Sequence, residues 1–172
     1  NLFFTLVTEG TCKIILKGRS FHKILIQYKD HTLDKDFNVI KGEERHLLGG
    51  LRFYGFWPLC DVAIYSFGWT NMTIEGKIEK HPKKIIDYVL LKDDVYWVEI
   101  ENAEDINLLP LSIGITCTIN ICNPYKAKFN VQNWLETVLN QIIPVIRDII
   151  TTDSYENWIK QMKDIGNIIF EK

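Results

Sequence analysis

The sequence predicts an α+β fold: an N-terminal, mostly antiparallel β-sheet followed by C-terminal helices packed on it. Three observations carry that expectation. From Phe3 to Ile121 the apolar residues fall in short runs rich in β-branched and aromatic side chains. Turn signals such as Glu9-Gly10, Gly18-Arg19-Ser20 and Lys92-Asp93-Asp94 separate those runs, so strand follows strand with no helix between. After Asn123 the apolar period changes from two to that of a helix.

Phe3 to Val7, Thr11 to Lys17 and Phe21 to Ile26 read as a meander of antiparallel strands. Asp30 to Glu44 is polar, a loop with one short strand over Phe37 to Ile40. Gly49 to Thr70 opens with the breakers Gly49, Gly50, Gly55 and Pro58. It continues as a strand from Asp61 to Trp69, apolar enough on both parities to be covered on both faces. Asn71 to Pro82 reads as a hairpin tip or loop, and its Asn71-Met72-Thr73 sequon as a chance match. Ile85 to Leu91 and Val95 to Glu101 are two further strands.

Leu111 to Ile121 is the longest strand. Leu111, Ile113, Ile115, Cys117, Ile119 and Ile121 make an apolar face, while Ser112, Gly114, Thr116, Thr118 and Asn120 make a polar one. Asn123 then caps a short helix with Pro124 in its first position. Asn130 is the expected cap of a second helix, whose stripe runs through Val131, Trp134, Leu135, Val138, Leu139, Ile142, Ile146, Ile149 and Ile150. Pro144 should kink or split it. Asp153-x-x-Glu156 reads as a capping-box variant opening a third helix, with the stripe Tyr155, Trp158, Ile159, Met162, Ile165 and Ile169.

The 172 residues suit one domain, with 1–122 as a mainly β lobe and 123–172 as a helical part. Apolar residues make up 47% and charged residues 24%, the profile of a folded globular chain. A net charge of −2 gives no sign of the basic field of a nucleic-acid binder. No run reaches the ~18 apolar residues of a membrane-spanning helix. Cys12, Cys60, Cys117 and Cys122 form no CxxC, and the four histidines show no ligand spacing to them. Free, mostly buried thiols in a reducing compartment are the expectation, with no metal and no cofactor. Phosphate-loop, GxSxG, HExxH and dinucleotide fingerprints are absent, and the acidic pairs sit in polar turns.

Phe53, Tyr54, Phe56 and Trp57 stand apart from this background. Four large rings within five residues, flanked by glycines, either plug the core or meet a membrane interface, where Trp and Tyr rings are favoured. The third-helix stripe is equally open between docking on the sheet and an assembly contact.

From Val89 to Ile159 the order of features is distinctive. KDDVYWVEIE reads as a strand pair, and LSIGITCTINICNPYKAKF as a long strand running into an Asn-Pro turn with Ala127. A long helix with Arg147 in its second half follows, then the threonine break TTDSYENWI. This order resembles the SPFH (band 7) domain of stomatins, prohibitins and flotillins, and TLVTEGTCKIILKGRSFHKIL is similar to that family's opening strands. Beside that resemblance, GGLRFYGFWP and Asn71 to Lys92 look like additions to a plain stomatin core. The resemblance implies a non-enzymatic, membrane-associated scaffold on the cytoplasmic side, a fragment of a longer anchored protein that forms homo-oligomers. Its implied partners are membrane lipids and membrane proteases or channels. The competing expectation is a soluble hydrolase, pairing Cys60 with a histidine such as His46, or a small-ligand or lipid-binding module using the ring cluster.

Overall fold

The computed structural model describes residues 3–43 and 46–161. Strands come first: β1 (Phe4–Leu6), β2 (Thr11–Lys17), β3 (Ser20–Gln27), β4 (His31–Leu33), β5 (Val39–Lys41) and β6 (Leu51–Phe53). They continue as β7 (Cys60–Val62), β8 (Tyr65–Met72), β9 (Ile78–Ile86), β10 (Val89–Leu90), β11 (Asp94–Glu104) and β12 (Pro110–Ile119). Helices α1 (Pro124–Phe129), α2 (Trp134–Ile150) and α3 (Tyr155–Gln161) follow. The architecture is α+β, made of small antiparallel sheets and three helices among the described residues.

The chain divides into two compact units, a grouping different from the order of strands and then helices along the chain. The first takes everything up to Tyr96 together with 118–133, and the second takes 97–117 and the described residues from Trp134 onward. Packing explains the difference: most of the β11–β12 hairpin shares a core with α2, whereas α1 shares one with the early strands.

In the first unit β2 is the central strand. It pairs with β3 along one edge, and with β10 and then β7 along the other. Ile15, Tyr54 and Cys60 are buried together, with Leu25 and Val62 around them. Cys12 is fully buried, and burial pushes its thiol up to about 12, which keeps it neutral and unreactive. Lys13 reaches Asp87 at 2.6 Å and donates to the Thr5 hydroxyl at 3.1 Å. α1 is held through its cap. The Asn123 side chain accepts from Lys126 N at 2.9 Å and donates to Asp36 O and Asn38 Oδ1. Phe21, Phe37, Tyr125 and Phe129 cluster beside it with ring centroids 4.9–5.8 Å apart, Phe21 meeting the others edge-on.

Several sequence expectations need correction. Asp30 to Glu44 holds a hairpin of two strands, β4 and β5, closed by an Asp34 turn in which one carboxylate oxygen accepts from Asp36 N and Asn38 N. The strand expected over Asp61 to Trp69 is two strands, broken after Val62. Asn71 to Pro82, expected as a hairpin tip or loop, does hold the tip of a hairpin, but only over 73–77; the rest is strand, with β8 and β9 pairing from Tyr65↔Ile86 to Met72↔Ile78. The register skips between Phe67 and Trp69, so Pro82 falls in a bulge where no donor is needed.

In the second unit Val98, Ile100 and Ala103 of β11 bury against Ile146 and Ile150 of α2, with alternate residues of β12 closing the layer. Gly114 lies on the outer face of β12, where a Cβ would overlap the Trp97 indole. Asn130 does not cap α2; its N–H bonds Lys126 O as the C-cap of α1. Pro144 does not split α2. It sits on the exposed side together with Asn140, the residue one turn back whose carbonyl a proline cannot bond. The start of α3 is capped by Ser154 rather than by an Asp153–Glu156 box: Asn157 N bonds Ser154 Oγ and Trp158 N bonds Ser154 O.

Candidate functional site

β1 and β6 form a two-stranded ribbon with Phe4 opposite Phe53 and Leu6 opposite Leu51. Strand alternation puts these four on one face. The residues between them, Thr5 and Arg52, point the other way and are buried. Arg52 Nη2 donates to Ile26 O and Gln27 Oε1, both at 2.9 Å, which anchors the ribbon's inner face. Val7 N to Gly50 O (2.8 Å) and Tyr54 N to Phe3 O (3.0 Å) extend the ladder at both ends.

Beyond Phe53 the chain turns through Tyr54-Gly55-Phe56-Trp57-Pro58-Leu59. Gly55 has φ 132°, a conformation that L side chains rarely adopt, and a Cβ there would run into Cys60 Sγ. The turn therefore sends successive side chains in different directions. Tyr54 goes inward, 5% exposed, against Ile15 and Cys60. Phe56 and Trp57 go outward, 63% and 57% exposed, and Leu59 follows them. Cys60 N to Phe56 O (2.8 Å) closes the turn.

The outcome is one apolar face. Phe4–Phe53, Phe53–Phe56 and Phe3–Phe56 meet edge-to-face with centroids 5.5–5.7 Å apart. Of the four rings expected to act together, Phe53, Phe56 and Trp57 are on the surface, and Tyr54 is a core residue, because its position in the turn faces β2. The sequence showed Phe3 and Phe4 only as an apolar run. The pairing of this run with Leu51–Phe53 joins residues 45 to 49 positions apart and had no local signal beyond composition.

The other expected surface is only partly described. In α3, Tyr155 and Ile159 are exposed. Trp158 is half-buried, and its indole N–H donates to Ile150 O at 3.0 Å, which ties α3 to the end of α2. Asp105, buried in the turn between β11 and β12, accepts from Asn107 N, Leu109 N and Tyr155 N, each at 2.9 Å. Met162, Ile165 and Ile169 lie outside the described residues.

Of the residues named for a hydrolase, Cys60 is buried beside Tyr54 and His46 is exposed. An open groove of about 610 Å³ is lined by Glu9, Tyr28, His31 and Arg52 among others. Its walls include none of Phe53, Phe56 or Trp57, so a ligand held there would not use the ring cluster. No described helix is long and apolar enough to cross a membrane. No protein-family model matches this chain, and neither does any curated protein or solved structure.

Proposed function

We propose that this chain is a non-enzymatic scaffold domain that lies against a membrane through its β1–β6 aromatic face and assembles with further copies through α3. The observation that carries the membrane part is the exposed ring set Phe3, Phe4, Phe53 and Phe56 in edge contact, with Leu6 and Leu51 on the same ribbon and Trp57 and Leu59 exposed in the adjoining turn. Soluble monomers rarely leave large apolar side chains contiguous on the surface, and a patch of this kind marks an interaction site. Phe and Trp are the side chains that enter the headgroup boundary while the backbone stays outside it. The face is built, not incidental: Arg52 fixes the ribbon from behind, and Gly55 permits the turn that brings Phe56 and Trp57 to the front. The order of elements that resembles the SPFH domain supports the same reading, as do Tyr155 and Ile159 on α3 for assembly.

The test is co-sedimentation with phospholipid vesicles, wild type beside a Phe56→Ser/Trp57→Ser variant. Both side chains are exposed, so the variant should stay folded, with stability within about 0.5 kcal/mol of wild type by thermal melting. Wild type in the pellet and the folded variant in the supernatant is the expected result. Equal behaviour of the two proteins would remove this face from the membrane.

A further inference from the structure

The aromatic face is bordered by cations on the β2–β3 hairpin. That hairpin turns through Gly18 and Arg19, both at positive φ (55° and 67°), the geometry of a two-residue turn matched to strand twist. The turn is fastened to the aromatic loop, because Gly18 N donates to Leu59 O at 2.9 Å and Lys17 pairs with Cys60. One strand over, Lys23 Nζ approaches Phe53 O at 3.4 Å. Lys17 and Arg19 are exposed and Lys23 is partly so. The acid close by in the ladder is Asp61, exposed opposite Leu16, with one carboxylate oxygen on Val62 N. Among the described residues, Lys17, Arg19 and Lys23 thus lie beside the aromatic loop, with Asp61 as the neighbouring acid in the ladder, in a protein whose overall charge is −2.

We infer that Lys17, Arg19 and Lys23 make this face selective for a bilayer surface rich in anionic phospholipid. This rests on the membrane reading above and names its partner. The chemistry is charge complementarity at short range. With Phe56 and Trp57 seated at the headgroup level, the loop backbone that holds them brings the hairpin's cations close to the lipid phosphates. Screening over about 8 Å at physiological salt removes the weak repulsion from acids elsewhere on the chain but leaves these contacts. Arg19 suits the role, because its planar fork pairs with a phosphate through two hydrogen bonds, while Lys17 and Lys23 act as point charges. Its left-handed backbone is one that L residues other than Asn and Asp adopt rarely, so the turn alone does not account for an arginine here.

The experiment compares phosphatidylcholine vesicles with phosphatidylcholine–phosphatidylglycerol vesicles, using wild type, a Lys17→Gln/Arg19→Gln/Lys23→Gln variant and the Phe56→Ser/Trp57→Ser variant. Circular dichroism checks the fold of each. Wild type should prefer the anionic vesicles, and the glutamine variant should lose about two orders of magnitude of binding to them. Added salt should weaken the wild type on anionic vesicles and leave its binding to neutral ones unchanged. Equal wild-type binding to both vesicles, or a glutamine variant that keeps the preference, overturns this inference and leaves the aromatic contact standing. Wild type bound to neither vesicle overturns both.

Discussion

Asp105 shows how one side chain can organise a unit. Its carboxylate satisfies the β11–β12 turn at Asn107 and Leu109 and the first N–H of α3 at Tyr155. Those N–H groups, from Leu109 first and then Tyr155, hold its carboxyl below the usual carboxylate range. A lowered folded pKa adds stability above the unfolded value of about 3.9, and that stability is lost as pH falls through the folded pKa. Asp105→Asn keeps the shape but gives up one acceptor oxygen and the charge. It should lower the melting temperature at about pH 7 and narrow the loss of stability seen on acidification to about pH 3. An unchanged pH profile in the variant would show that Asp105 contributes nothing to acid sensitivity. Asp34 follows the same logic in the β4–β5 turn: Asn38 holds its carboxyl low, first through its side chain and then through its backbone.

Among the elements, α3 carries the assembly claim. Trp158 docks it on α2, which leaves Tyr155 and Ile159 facing solvent on a helix that is otherwise polar. Tyr155→Ser/Ile159→Ser should reduce the oligomer seen by light scattering without lowering the melting temperature. Persistence of the wild-type mass would place assembly elsewhere. The elements most legible in the sequence were those with a clear period and a cap. β2 has the predicted bounds, β12 alternates half-buried and exposed residues as its sequence does, and α1 begins at the Asn123-Pro124 signal. The illegible ones fail for identifiable reasons. β6 has three residues between glycines, too few to show a period. β9 is long but lysine-rich and contains Pro82, because it lies in a two-stranded ribbon that asks for little burial. Of the candidate site, Phe53, Phe56 and Trp57 were visible as a cluster. The inward turn of Tyr54 was not, since it depends on Gly55 and on what Cys60 packs against.

For the molecule as a whole, the proposed membrane face and the proposed assembly helix belong to different compact units. The first unit needs only its own ladders to present the aromatic face, and the second needs only its β11–β12–α2 core to present α3. The two roles should therefore respond independently to mutation. The most direct test of the central claim is hydrogen–deuterium exchange with and without anionic vesicles. The expected result is slowed exchange confined to residues 3–7, 17–20 and 50–60, with α3 and the β8–β9 ribbon unchanged. Protection appearing instead on the β8–β9 ribbon or on α3, with the β1–β6 segment exchanging as in free protein, would contradict it.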